Sequence, residues 1–391
     1  MRKNLKIALV SGEYPPSSLG GVSTVCYDLA QGLSKNGVDT TVFCGKADKI
    51  TSEKVNNHLE VVRMPIIRAP PRHLWFPLQN LGPLIGALKR FDIIHCIDTR
   101  AAGVLAYFRK NWQGTFVVHV HGCGHCETKA FLDSPLFSWS PGEFVYQVLE
   151  YPLNEFLVNA SLHHADHAIV CSTARVDEMK RRNPELDYRK VSVIYNGIHL
   201  DNIQLDPKAK ENECSVLYWG RLFYNKGIMQ LIKAMALVKE EFPNVTLDVC
   251  GRGPLEAVLK SLTDNLGLKK NVRFHGYVTK EFLTKKIQGT TLITLPSIYE
   301  GQPVAVLEAL ANRKPIVVFD YPFAREYIID CHNGLIAKAC DVKDLAEKIC
   351  LGLSDKKLRA KLSQNAYQQV SKNHNWDTLI KKYIELYQKL A

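Results

Sequence analysis

The chain has 391 residues, 46% of them hydrophobic and 23% charged, a make-up that fits a soluble globular protein and excludes a disordered or fibrous one. That length is too great for one ordinary core and predicts two domains of roughly 150–200 residues each. The net charge of +11, from 50 Lys and Arg against 39 Asp and Glu, suits an anionic partner. The cations are dispersed, however, with no run beyond Lys180-Arg181-Arg182 and no nucleic-acid motif, so nucleic acid is not expected. Small phosphorylated ligands and a peripheral membrane surface both stay open.

The chain starts by running from Met1 into Ile7-Ala8-Leu9-Val10, too short an apolar stretch for an export signal. The uncharged residues 74–88 fall short of the roughly 20 apolar residues that span a bilayer. A cytoplasmic protein is expected, with peripheral attachment at the inner membrane face kept as an option. The 11 cysteines are mostly scattered singly, which reads as reduced thiols in place of a disulfide framework. One denser cluster, His119, His121, Cys123, His125 and Cys126, admits a zinc reading. No second Cys/His pair stands at finger or ribbon spacing nearby, so a binding loop with incidental thiols is the plainer expectation.

Taken in order, residues 5–10 read as a buried strand, followed by a Gly/Pro/Ser loop that ends in Gly20-Gly21. A helix follows with Val22, Val25, Leu29 and Leu33 on one face, closed by Asn36-Gly37. Further strands are predicted at 38–44, 92–96, 115–120, 167–171 and 191–194, with helical stretches between. After Tyr195-Asn196-Gly197 the polar residues 199–214 look like a linker. A second series then begins, with strands at 215–219, 245–250, 272–275, 291–295 and 315–319 and helices at 227–242, 254–266, 280–288 and 303–312. This alternation predicts α/β architecture, two Rossmann-like doubly wound domains with a ligand in the cleft between them. The division expected is residues 1–198, residues 199–373, and a final helix in 374–391 that crosses back to the first domain.

Two segments carry the chemistry. In Pro296-Ser297-Ile298-Tyr299-Glu300-Gly301-Gln302-Pro303 a strand ends and a helix opens, with Pro303 near the first turn. Free N–H groups and the positive end of the helix dipole suit an anion there, and Gly301 permits close approach. Glu308 lies one to two turns into that helix, where it can accept hydrogen bonds from a diol such as a ribose. From spacing alone, Glu300 as a helix cap and Glu308 on a solvated face remain the plainer reading. The second segment, Gly220-Arg221-Leu222-Phe223-Tyr224-Asn225-Lys226-Gly227, places two cations around a turn before a helix, an arrangement suited to a diphosphate. A solvated basic loop is the alternative.

Together these segments resemble the retaining glycosyltransferases of family 4, whose GT-B fold pairs two Rossmann-like domains across a cleft. Glu300 and Glu308 match that family's Glu-x7-Glu motif, and Arg221 with Lys226 match its Gly-Arg-Leu…Lys-Gly motif. The resemblance implies that Glu308 binds ribose, Arg221 and Lys226 grip the donor diphosphate, Glu300 faces the transferred sugar, and Gly301 and Gln302 contact sugar and phosphate. The stretch after Glu300 departs from the family's usual Gly-Phe-Gly-Leu-Pro. His121-Gly122 after its strand matches the family's strand–His–Gly pattern, implying a histidine at the sugar, with His119 as the alternative. Gly21 is implied to line the cleft. Cys250-Gly251-Arg252-Gly253-Pro254 matches the Gly-x-Gly-Pro turn, and His275-Gly276-Tyr277-Val278 the segment that meets the base, so Gly253, Tyr277 and Val278 join the candidate site.

The implied activity is transfer of a sugar, with retention, from a UDP- or GDP-sugar to a glycan, lipid-linked or small-molecule acceptor. No metal and no cofactor are expected, since the chain holds no Asp-x-Asp and Arg221, Lys226 and a helix N-terminus can stabilise the leaving group. Three rivals use similar architecture: a nucleotide-sugar-binding protein without transfer, a nucleotide-sugar 2-epimerase, and a nicotinamide dehydrogenase. The last lacks its Gly-x-Gly-x-x-Gly fingerprint in Ser11-Gly12-Glu13-Tyr14-Pro15-Pro16. Residues 131–162, rich in aromatics, are read either as a core helix or as a face toward a lipid-linked acceptor.

Overall fold

The computed structural model describes residues 5–16, 21–67, 72–122, 132, 151–203, 212–301 and 303–391. They form two compact units. The first is built from the chain up to residue 122, residues 151–196 and Trp376–Ala391, and the second from Gly197–Asn375.

The first unit carries strands β1 (Lys6–Ser11), β2 (Asp39–Ala47), β3 (Thr51–Asn56), β4 (Leu59–Pro65), β5 (Ile93–Cys96), β6 (Thr115–Val120), β7 (His167–Val170) and β8 (Val191–Val193). Their order is β3-β4-β2-β1-β5-β6-β7-β8, all parallel except the β3–β4 pair. The central strands are covered on both faces, which is why they read as unbroken apolar runs. Ala8, Val10, Ile94, Phe116 and Val118 face one core, while Ile7, Leu9, Ile93 and Val117 face the other. The helix Gly21–Lys35 lies on the second face with Val25, Leu29 and Leu33 buried. The C-terminal helix Trp376–Leu390 covers the same face through Trp376, Leu379, Ile380, Tyr383 and Tyr387. Five apolar or aromatic side chains taken wholly out of water give that helix on the order of 10 kcal/mol of gross burial, more than its own propensity could supply.

The second unit carries β9 (Ser215–Trp219), β10 (Thr246–Cys250), β11 (Val272–Gly276), β12 (Leu292–Thr294), β13 (Ile316–Phe319) and β14 (Leu335–Ala337) in the all-parallel order β11-β10-β9-β12-β13-β14. This is the Rossmann sequence of strands, and its direction of winding reverses between β9 and β12. Helices Ile228–Glu241, Glu256–Asn265, Lys280–Gly289 and Val304–Ala311 stand within two residues of the predicted bounds.

Both sheets therefore agree with the expected α/β, two-Rossmann architecture. Three strands were not anticipated: the hairpin β3–β4 and the short β14. Of the supposed linker, Leu200–Asn202 forms a single tight turn, and residues 204–211 lie outside the described residues. No described helix is long and apolar enough to cross a membrane.

Candidate active site

In an open parallel sheet, ligands bind beyond the carboxyl ends of the strands where the winding reverses. In the second unit that point is the pair β9 and β12. Trp219 ends β9; after it the chain makes a tight turn over Tyr224–Lys226 and enters the helix Ile228–Glu241 through Gly227, at φ 66°. A Cβ on Gly227 would stand 1.9 Å from the Pro296 carbonyl oxygen, so only glycine allows the two loops to meet. The contact continues as the Ile298 and Tyr299 amides donate to the Asn225 carbonyl at 2.8 and 3.4 Å.

This interlock brings the predicted charges together. The Lys226 ammonium is paired with Glu300 Oε1, both side chains being mostly buried, and Ser297 Oγ donates to the same oxygen at 3.0 Å. Glu300 is thus an ion-pair partner and not a helix cap; Pro303 occupies the cap position of Val304–Ala311. Glu308 is no solvated surface group either. Its Oε2 accepts the Trp219 indole N–H at 3.0 Å, and burial pushes its carboxyl above the usual range while that hydrogen bond pulls it back. Arg221 is exposed, its guanidinium 4.8 Å over the Phe223 ring. Among these groups, Lys226, Glu300, Glu308 and the first turn of Val304–Ala311 are gathered around two adjacent strand ends, with Arg221 on the same loop as Lys226.

The loop after β10 is stitched alongside. The Leu222 amide donates to the Arg252 carbonyl at 3.0 Å and the Leu255 amide to the Leu222 carbonyl at 3.2 Å. A Cβ on Gly253 would come within 2.4 Å of the Leu222 oxygen, so Gly253 keeps the two loops in register. The Gly251 amide bonds the Gly276 carbonyl at 2.8 Å, which places Tyr277, 70% exposed, and half-buried Val278 next in line. Beneath them, Asp248 joins His275 Nε2 at 2.6 Å and Lys286 at 2.9 Å, fixing the end of β11. Gly301 is half-buried beside Glu300. Gln302 lies outside the described residues.

In the first unit His121 follows β6, as expected. The residue is half-buried, with Nε2 enclosed and unpartnered among the described residues, and desolvation lowers its pKa to about 4 while Asp98 opposes the shift. His119 stacks on it, centroids 3.9 Å apart and planes at 21°, and is itself completely buried. Gly21 is exposed at the head of Gly21–Lys35, and an added Cβ there meets nothing. The predicted helical stretch before Leu162 is a helix over Tyr151–His164, in which Leu157 and Leu162 are buried and Leu153 and Phe156 exposed. Residues 133–150 lie outside the described residues, as do Cys123, His125 and Cys126. Among the described residues, no group of three His, Cys, Asp or Glu side chains is placed to hold a metal.

Sequence reasoning missed Trp219, Ser297 and Asn225. Trp219 had one available signal: a polar-tipped aromatic at the last position of a buried strand, immediately before the cationic loop.

Two family models lie end to end along the chain. One, for Glycosyltransferase Family 4, matches residues 19–202; the other, for group 1 glycosyl transferases, matches residues 201–369. An uncharacterized glycosyltransferase of Methanocaldococcus jannaschii is 29% identical, with 98% of each chain covered. Among solved structures, sucrose-phosphate synthase from Thermosynechococcus elongatus superposes with a TM-score of 0.79 at 21% identity, over 99% of each chain. HepE of Anabaena, solved with UDP and glucose, gives 0.75 at 20% identity over 99% of this chain and 100% of its own.

Proposed function

We infer the following reaction for a chain that belongs to the group 1, family 4 glycosyltransferases: transfer of a sugar, with retention, from a nucleoside-diphosphate sugar to a hydroxyl acceptor. The observation that carries it is the gathering of Lys226, Glu300 and the Trp219-held Glu308 at the neighbouring ends of β9 and β12. Similarity to HepE, solved with UDP and glucose, favours a uridine donor.

In this reading Glu308 accepts hydrogen bonds from the two ribose hydroxyls, held in aim by the Trp219 N–H. Arg221 and Lys226 take the diphosphate, and the amides opening Val304–Ala311 add a dipole of the right sign. Glu300, on the far side of Lys226, accepts from hydroxyls of the transferred sugar. Tyr277 and Val278 flank the base, Gly253 keeps the loop after β10 close to Leu222, and Gly301 with Gln302 lines the sugar. On the first unit, Gly21 and His121 are the candidate sugar-side residues, His121 as a neutral imidazole suited to hydrogen-bond a hydroxyl.

In the reaction, the bond between the anomeric carbon and the β-phosphate oxygen breaks, and the acceptor oxygen bonds the same face of that carbon. The acceptor proton passes to the departing phosphate oxygen, giving the glycoside and the nucleoside diphosphate. The cations stabilise charge that grows on the phosphate as the bond breaks, so their effect falls on the rate. No metal step is needed.

The test is release of nucleoside diphosphate by Arg221→Ala and Lys226→Ala, with chelator present throughout. Each should lose about 100-fold or more in kcat, as loss of one charge-stabilising donor does elsewhere. Turnover within threefold of the native rate in both folded variants would overturn the diphosphate assignment.

A further inference from the structure

The face of the first sheet covered by the C-terminal helix holds a file of imidazoles. His95 on β5, His119 on β6 and His121 just past it all point to that side, because they share the parity of Ile93 and Val117. His95 stacks on His119 with centroids 5.3 Å apart and planes at 13°, and His119 stacks on His121 at 3.9 Å. The outer end of the file is anchored, since His95 Nδ1 and the Tyr387 hydroxyl lie 2.6 Å apart. Tyr383 flanks both His95 and His119 at 6.3 Å.

His119 is the odd member. It is completely buried, and neither ring nitrogen has a partner among the described residues. A buried imidazole with two unmet nitrogens lowers stability, and an apolar strand residue would fit this face without that cost. Packing alone therefore gives no reason for a histidine-sized aromatic here. What His119 does have is a full-face contact with the candidate sugar-side residue.

We propose that His119 is a positioning residue for His121: its ring face seals and orients the neighbouring imidazole so that His121 meets the substrate as a neutral, fixed hydrogen-bonding group. The proposal rests on the sugar-side reading of His121 given above. Protonating His121 would place a cation whose inner side lies against the packed His119 ring, away from water on that face. The groups that face the pair, among the described residues, are His95 from β5, Asp98 from the loop after it, Cys171 from the end of β7 and Tyr383 from the C-terminal helix. Asp98 alone of these favours a charged His121. Burial lowers all three histidines, His119 well below the ordinary range.

The experiment is a histidine NMR titration on the whole chain, with the His121 signal assigned by its loss in His121→Asn. Three variants change the covering face. His119→Phe keeps an aromatic surface, whereas His119→Val and His119→Ala remove it, valine being suited to a buried strand and so securing a folded sample. The expected result is a native and His119→Phe midpoint near pH 4 and a rise of about two pH units in the valine and alanine variants. A folded valine or alanine variant titrating with the native protein, or a phenylalanine variant that rises with them, would overturn the proposal. A pH–rate profile separates the two readings. If the NMR midpoint moves but no acid limb appears in kcat, His119 positions His121 and the sugar-side role of His121 is the reading that fails.

Discussion

Gly227 offers a sharp test because the same unit supplies its control. Gly227 and Gly267 both adopt φ 66°, but a Cβ on Gly267 meets nothing within 4 Å, whereas one on Gly227 lies 1.9 Å from the Pro296 oxygen. In Gly267→Ala the only penalty is the left-handed backbone, about 1 kcal/mol. In Gly227→Ala the same strain is joined by an overlap that forces the Lys226 and Pro296 loops about 1 Å apart, adding roughly 1–3 kcal/mol of overpacking. That displacement falls on the loops that pair Lys226 with Glu300, and a misplacement of about 1 Å at a reacting centre costs on the order of 100-fold in rate. Hydrogen exchange at β9 and β12 reads the stability, and nucleoside diphosphate release reads the rate. The expected outcome is about 3 kcal/mol and about 100-fold for Gly227→Ala, against about 1 kcal/mol and an unchanged rate for Gly267→Ala. Equal losses in the two variants, or Gly227→Ala within threefold of native activity, would refute the interlock as the basis of the site.

Two further outcomes follow from the same geometry. Trp219→Phe removes the N–H that aims Glu308, so nucleoside-diphosphate affinity measured by calorimetry should fall about tenfold, the worth of one hydrogen bond to a charged group, while kcat at saturating donor stays within threefold. Lowering the pH should selectively weaken the first unit. His95 and His121 have folded pKa values of about 3 and about 4, and burial also holds His119 well below its ordinary value, so the folded state stays unprotonated where the unfolded chain, near 6.5, takes up protons. Their contribution is complete above about pH 7 and is lost as pH falls from about 6.5 toward 4, near 2 kcal/mol for each of His95 and His121 by pH 5, with His119 acting in the same direction. Urea midpoints followed at Trp376 should show the drop, and a midpoint flat from pH 7 to pH 5 would contradict it.

Much of this was legible in the chain because buried parallel strands cannot alternate. Ile7 to Val10 and residues 115–120 show as apolar runs whatever packs on them. β3 escaped for the opposite reason: every residue of Thr51–Asn56 is exposed, so no period-2 pattern marks it. β14, at three residues, is too short to leave a pattern. In the site, Arg221, Lys226, Glu300 and Glu308 stood out through the family resemblance, since spacing alone left Glu300 as a helix cap, Glu308 on a solvated face and the cations in a basic loop. Trp219 and His95 did not, because a strand pattern assigns them to the core without saying what their nitrogens meet. His95 finds its partner 292 positions away at Tyr387, a pairing that no local reading can reach.

The helix Trp376–Leu390 also sets an order of events during synthesis. The first unit needs Trp376, Leu379, Tyr383 and Tyr387 to close its core and to complete the His95 contact, yet these residues emerge only after Gly197–Asn375 has been made. Domains usually finish folding in the order in which they leave the ribosome. Here the later unit has its whole sheet available first, and the earlier one waits with one apolar face only partly covered, by Gly21–Lys35, until the helix Trp376–Leu390 arrives. Partially made chains of this protein therefore leave part of that apolar face exposed at their N-terminal half, not at their growing end.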